Sequence, residues 1–486
     1  MSFVSGRMNK KYQCSLFIFR RDLRLIDNTA LIEACRRSES VIPIFIFDPR
    51  QVRRNSYRSI NAMQFMLESL RDLDSALHTH RSRLFCWEGK AEQALAEILH
   101  REKIDAVFVN RDYTPFSLRR DRALGEVCKS HAVPLESFDD VLLTPPGKVL
   151  KKDGKPYTIF TPFYKAARQV TIEKPQNYAF SRSFIDNLQG AKSLASISLF
   201  SDSNQQLAVR GGRCQALKLL QQVGTLQEYE EKRNLPTLGW TTQLSAHNKF
   251  GTVSIREVYH AIQNVFGPEH SLIRELFWRD FFCCIGFYFA HVFKGSFHRH
   301  YDKIIWENNR RKFKAWCTGM TGFPIVDAGM RELNATGFMH NRVRMIVASV
   351  LTKDLHINWQ WGERYFAQKL VDYDPAVNNG NWQWAASTGC DAQPYFRIFN
   401  PWLQQERFDP DCTYIKRWVP ELRSLTSKEI HKLSSPRGTT TYPPPIVDHR
   451  EAKDIAEEMY IETRASNDSQ TSLPSDSPAD ENRCRE

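Results

Sequence analysis

The chain has no G-x-G-x-x-G turn and no G-x-x-x-x-G-K-[ST] loop, so neither the dinucleotide nor the triphosphate fingerprint is present. It also has no C-x-x-C pair, although eleven cysteines are scattered along it. Cys283 and Cys284 are adjacent, a poor geometry for a mutual disulfide. Dispersed thiols of this kind are expected of a reduced, intracellular protein, cytoplasmic in a bacterial-type cell, and no metal site is expected. The N-terminus MSFVSGRMNKKYQC lacks the apolar core of a secretory signal. The most apolar run, Phe281 to Phe293, includes His291 and is too short to span a bilayer. It is expected to form a buried helix, with no membrane contact. No internal repeat is found.

What is present points to two structural regimes. The 486 residues suffice for two or three domains. A net charge of +12 fits either a polyanionic partner or a basic solvated surface. From residue 13 to about 145, apolar stretches (15–20, 41–48, 105–112) alternate with helical patterns such as Ala91 to Arg101, which predicts a doubly wound parallel sheet. Residues 146–205 are rich in Pro, Gly, Lys and Ser and are expected to be a long interdomain connector. Residues 206–462 show helical periodicity. In NRVRMIVASVLTKDL, Val343, Ile346, Val347, Val350, Leu351 and Leu355 form one apolar stripe, leaving Asn341, Arg344, Met345 and Ala348 to line a pocket. A last helix is expected to end near Tyr460. The Ser-, Pro- and Asp-rich residues 463–486 are expected to be a disordered tail.

Residues 372–401, DYDPAVNNGNWQWAASTGCDAQPYFRIFNP, concentrate the chemistry. Pro375, Gly380 and Pro394 predict loop or short helix. Carboxylates, amides and indoles at this density suit a pocket for a large flat polar ligand, and a buried, well-satisfied turn region explains them about as well. The string resembles the flavin-binding heart of the DNA photolyase/cryptochrome family, and YEEKRNLP, TTQLSAHNKFG, RELFWRDF, TGFPIVDAGMRELNATGFMHNRVRM and INWQWGERYF extend the resemblance over nearly the whole chain. Within the family the chain is most similar to class I cyclobutane pyrimidine dimer photolyases.

The resemblance implies an α/β antenna domain, a connector and an all-α FAD domain that repairs pyrimidine dimers in UV-damaged DNA by light-driven electron transfer, acting as a monomer. Tyr229, Thr241, Thr242, Leu244 and Ser245 would hold the FAD pyrophosphate and ribityl chain. Ala246, His247 and Asn248 depart from the family pattern just beyond. Arg344 and Asp372 would pair against the isoalloxazine, with Asp374 on its polar edge, Asn378 facing N5 and Trp278 nearby. Positive charge there favours the reduced anionic flavin. Trp382, Trp359 and Trp306 would pass electrons from the surface, with Trp361 as an additional branch.

Glu275, Trp278, Asn341, Arg342, Met345 and Trp384 would receive the flipped-out lesion, the two indoles clamping its faces. Arg233, Arg279, Arg342 and Arg397 are candidates for DNA phosphates. A second antenna chromophore, methenyltetrahydrofolate or 8-hydroxy-deazaflavin, is expected near Asn110 at the carboxyl edge of the sheet, and Thr114 stands where a folate antenna would call for an acid. Arg20, Arg21 and Arg24 are expected to be structural. The rival functions are a signalling photoreceptor without repair activity, which Asn378 and the short tail disfavour, and a light-independent flavin redox enzyme. The expected lesion is the cyclobutane dimer, because Asn341 and Met345 stand where six-four photolyases carry histidine.

Overall fold

Alternation of apolar strands with amphipathic helices builds the first half. In the computed structural model, which describes residues 10–471 apart from 54, 181–182, 200–202 and 435–440, five strands pair in parallel. They are β1 (Tyr12–Phe19), β2 (Ser38–Phe47), β3 (Phe85–Glu88), β4 (Ala106–Asn110) and β5 (Leu135–Phe138), in the order β3-β2-β1-β4-β5. The order reverses between β1 and β4. Successive β1 side chains enter opposite cores: Phe17 and Phe19 pack on one face of the sheet, Leu16 and Ile18 on the other. That two-sided burial is why the strands read as unbroken apolar runs. β3 and β5 have four residues each and were too short to stand out in the sequence.

Asn28 caps α1 (Thr29–Arg37) by accepting from Leu31 N. The expected connector is not a bare linker. It contains α2 (Phe160–Ala167), whose Phe160, Phe163 and Ala167 join the helical core, while Phe180, Phe184, Leu194 and Ile197 join the sheet core. Single β-bridges tie Phe184 to Val41 and Lys192 to Cys86. Each half of the segment is therefore stapled to one domain by its own apolar residues.

The helical half contains α3 (Ser245–Phe250), α4 (Ser271–Tyr288), α5 (Asn341–Ser349), α6 (Trp359–Lys369), α7 (Pro375–Ala385) and α8 (His449–Thr471), among others. All six residues of the apolar stripe are buried, and α5 runs into a π-helical turn, Val350–Asp354. Within the stretch expected to be loop or short helix, residues 375–385 form α7 and 386–400 are loop: Pro375 occupies the helix's first turn, where no N–H is needed, and Asp374 caps it. Gly380 lets α7 approach α4, since a Cβ there would lie 2.1 Å from Phe282. α8 runs past Tyr460 to Thr471 instead of giving way to a tail at 463, there being no Pro or Gly before Pro474. Residues 472–486 lie outside the described residues. Among those described, no helix is long and apolar enough to cross a membrane.

The two halves meet where the chain leaving β1 docks on the end of α3. Leu23 N donates to Phe250 O at 3.0 Å, Arg21 Nε to Lys249 O at 3.2 Å and Arg24 Nη1 to Gly251 O at 3.1 Å. Gly251 has φ +64°, and a Cβ there would come within 2.2 Å of Arg21 O, so only glycine fits this contact.

Candidate functional site

Arg344 on α5 and Asp372 just before α7 form a two-point ion pair, Nη2 to Oδ2 at 2.9 Å and Nη1 to Oδ1 at 3.3 Å. Arg344 Nε also donates to Met339 O at 2.7 Å, which fixes the guanidinium plane. Asn378 on α7 is buried and donates Nδ2 to Glu363 O at 3.1 Å. Behind it, Asn379 Nδ2 donates to Glu363 Oε1 at 3.0 Å, and burial pushes the Glu363 carboxyl up to about 7.

Asp374 is committed differently from the expectation. Its Oδ1 caps α7 by accepting from Ala376 N and Val377 N, and its Oδ2 accepts from Arg21 of the sheet domain. With both oxygens engaged, it anchors the helix and the domain interface rather than offering an open acceptor to a ring edge. Arg21 also pairs with Asp112 at 3.1 Å. Burial raises the Asp374 carboxyl, but Arg21, Lys249 and Arg279 outweigh it and hold it at about 2. Burial, with Arg21 beside it, pushes the Lys249 amine down to about 8.

Arg279, expected at the DNA, donates instead to Val141 O at 2.6 Å and Asn248 O at 3.2 Å inside this cluster. Arg21, Lys249 and Arg279 thus face Asp112 and Asp374, and Arg279 also lies 3.8 Å from the buried Asp280 carboxylate. The cations of Lys249 and Arg279, with the hydroxyls of Thr241, Thr242 and Ser245 on the adjoining segment, are the kind of donor set that fits the FAD pyrophosphate.

The hydroxyl segment adjoins this cluster through α3. Thr241 and Thr242 are half-buried, Leu244 is buried and Ser245 exposed. Leu244 stands at the N-cap with no side-chain cap bond, and its N donates to Thr242 Oγ1 at 3.4 Å. Tyr229 is buried, which pushes its phenol up to about 12, and the Arg233 guanidinium sits 5.0 Å from its ring centroid.

On the more open side, Glu275 Oε1 accepts from Arg233 Nη2 at 2.7 Å. Arg342 donates to Asn234 Oδ1 at 2.7 Å and lies 4.4 Å over the Phe408 ring. Burial, then Arg407 and Arg233, push the Arg342 guanidinium down. Three guanidinium groups this close, one of them on the unforeseen Arg407, make an anion-accepting patch. Asn341 and Met345 share one face of α5, the amide 3.9 Å from the thioether sulfur. Arg397 is exposed. Trp384 lines a small cleft with Phe282, Asn379, Gln383 and Asp391. Trp278 does not offer an open face beside it: Phe160 of α2 stacks on the indole at 3.6 Å and 8°. A clamp on both faces of a ligand would require that pair to part.

Trp382 and Trp359 are buried in one core, and Trp306 packs against it partly exposed. The indole beside Trp382 that sequence reasoning missed is the fully buried Trp316, 6.2 Å away between ring centroids; Trp361 contacts Phe313 rather than Trp382. In the sheet domain, Asn110 is spent: Nδ2 donates to Asp22 Oδ2 and Asn28 Oδ1, and Oδ1 accepts from Ala30 N. It locks the β1/β4 switch point and is not an open ligand contact. Asn234, Lys249, Phe160, Trp316 and Arg407 were not foreseen; of these, only Asn234 and Lys249 lie in the motifs YEEKRNLP and TTQLSAHNKFG.

Comparison with known proteins agrees with this geometry. The DNA photolyase model matches residues 15–179 and the model for the FAD binding domain of DNA photolyase matches residues 272–462. A deoxyribodipyrimidine photo-lyase of Agrobacterium fabrum is 37% identical over 91% of this chain and 96% of its own length. An archaeal photolyase from Sulfolobus tokodaii, solved with two FAD molecules, superposes with a TM-score of 0.85 at 42% identity, over 93% of this chain and all of that one. A cryptochrome from Synechocystis superposes at 0.82 with 26% identity, over 93% of this chain and all of that one. With an FAD-binding helical half, a parallel-sheet half and relatives matched end to end, the chain belongs to the DNA photolyase family.

Proposed function

We propose that the protein repairs cyclobutane pyrimidine dimers in DNA under blue light. Bound in its reduced form, FAD supplies the photoexcited electron that opens the dimer and takes it back, with no net redox change. The chain's own residues prepare the two ends of that transfer. Arg344, held by Asp372 and Met339 O, would hold the ring and supply positive charge that favours its reduced, anionic form. Lys249 and Arg279, with the hydroxyls of Thr241, Thr242 and Ser245, would hold the pyrophosphate. Glu275, held by Arg233, accepts from a base N–H of the flipped lesion, while Met345 and Trp384 supply apolar contact. Arg233, Arg342, Arg407 and the exposed Arg397 take the phosphates flanking the lesion. A second, light-harvesting chromophore is proposed at the carboxyl edge of the sheet. The protein is proposed to work as a monomer.

The observation that carries this reading is the Arg344–Asp372 pair beside buried Asn378, in a chain matched end to end by photo-lyases. The deciding experiment illuminates the reduced protein with a dimer-containing oligonucleotide beside a dark control. Light-dependent restoration of the pyrimidines is expected. Flavin binding with light-induced flavin chemistry but no repair would overturn the reading in favour of a photoreceptor.

A further inference from the structure

The segment between α7 and the next helix, residues 387–400, carries Phe396, 60% exposed, and exposed Arg397. Its own hydrogen bonds are short-range turns: Arg397 N donates to Pro394 O at 3.0 Å and Ile398 N to Phe396 O at 3.1 Å. Ser387 Oγ, Thr388 Oγ1 and both ends of the Gln393 amide are buried without a hydrogen-bond partner among the described residues. Contacts from outside add to those turns, among them His298 N donating to Thr388 O at 3.2 Å. At one end Asp391 accepts from Phe160 N at 2.9 Å. At the other, Tyr395 lies parallel to Tyr460 of α8, ring centroids 5.9 Å apart and planes within 5°.

Tyr460 is built into its place from several sides. It is fully buried, and its hydroxyl donates to Ala386 O at the end of α7. The Lys353 amine sits 3.5 Å from its ring centroid and donates to Tyr395 O at 3.4 Å. Arg464, one turn further along α8, lies over the Tyr395 ring at 5.6 Å. Lys353 is itself wholly buried in the π-helical turn, an element enriched at functional positions. The same turn grips the start of α8 through Asp354 and His449, and His356 contacts Ala452 O at 2.8 Å. Burying a lysine against two tyrosines is costly unless the contact secures something.

We propose that Tyr460 is a positioning residue for DNA binding: with Lys353 and Arg464 it braces Tyr395 and so holds the Phe396–Arg397 tip in the shape that meets DNA. The proposal rests on the repair reading above for its ligand, but the brace can be read without it. Tyr460→Phe keeps the ring stack, whereas Tyr460→Leu and Tyr395→Leu remove it. Three readouts are taken: the rate of tryptic cleavage after Arg397, affinity for a dimer-containing oligonucleotide, and flavin content by absorbance. Both Leu variants should be cut faster and bind DNA about two- to tenfold more weakly, the range expected of one lost aromatic pair. Flavin content should match wild type, the Phe variant should behave as wild type, and the double Leu variant should be no worse than either single one.

Unchanged cleavage and affinity in the Leu variants, or a Phe variant as impaired as Leu, would overturn the brace. If Tyr460→Leu does not fold, Tyr395→Leu, on the half-buried loop ring, decides the same question. Wild-type protein that fails to prefer dimer-containing DNA would overturn the repair reading, while the cleavage contrast would still decide the brace.

Discussion

Replacing Arg21 by methionine tests the claim that a charge in the sheet domain holds the flavin pocket together. Arg21 is 12% exposed at its side chain, and its partners Asp112 and Asp374 are 9% and 7% exposed. Removing one partner of a buried ion pair costs roughly 3–5 kcal/mol, because the remaining charge stays buried and unpaired. Methionine keeps most of the volume, and Lys249 and Arg279 still face Asp374, so a loss of about 3 kcal/mol, the lower end, is expected.

The loss should depend on pH with a definite sign. The Asp374 carboxyl, at about 2 in the folded chain against an ordinary value of 3.8, contributes stability that is full above pH 3.8 and fades toward pH 2. The difference is worth on the order of 2 kcal/mol. Without Arg21 burial dominates, the carboxyl rises, and acid relieves the variant rather than harming it. Urea midpoints read by tryptophan fluorescence at pH 7 and pH 3 should therefore show a wide gap between wild type and Arg21→Met at pH 7 and a narrower one at pH 3. A gap under about 1 kcal/mol at pH 7, or one of equal width at both pH values, would refute the reasoning. The variant should also lose FAD more readily on dilution.

Trp382→Phe should greatly slow light-driven reduction of the oxidised flavin while leaving repair by pre-reduced protein intact; unchanged photoreduction would move the route elsewhere. Arg397→Ala should lower the slope of log affinity against log salt by about 0.9, one phosphate contact, for dimer-containing DNA. An unaltered slope would leave Arg397 out of the interface. Cyclobutane dimers should be repaired and six-four photoproducts not, under identical light. The nearest histidine, His340, caps Arg342 N, and burial with Arg344 and Arg342 beside it pushes its imidazole down to about 4, so it is neutral at pH 7 and a poor acid. Repair of six-four photoproducts alone would reverse that assignment.

The parallel sheet was legible because β1, β2 and β4 bury both faces and so read as continuous apolar runs, whereas four-residue β3 and β5 carry too few side chains to show a period. The stripe on α5 was legible because its 3.6-residue spacing is a one-helix property. Residues 372–401 were legible as loop or short helix, since 375–385 form a short helix and 386–400 are loop; what the sequence did not show is that Gly380 serves a tight helix crossing. The commitments of Asp374, Arg279 and Trp278 to Arg21, Val141 and Phe160 were not legible at all. Each joins residues more than a hundred positions apart, and local pattern carries no information about such partners.

The stapled connector has a consequence for how the chain is made. The sheet's last strand ends at Phe138, yet Phe184, Leu194, Leu207 and Val209 belong to the same core, and Lys192 bridges to Cys86 on edge strand β3. On the ribosome, at roughly 5–20 residues per second, the sheet must wait roughly 4–14 s after β5 emerges before that cover arrives. Through that interval β3 presents unpaired backbone groups to whatever is nearby. Slowed synthesis between residues 138 and 209 should therefore lower the yield of soluble protein more than an equal pause placed after 209, where the sheet already has its cover.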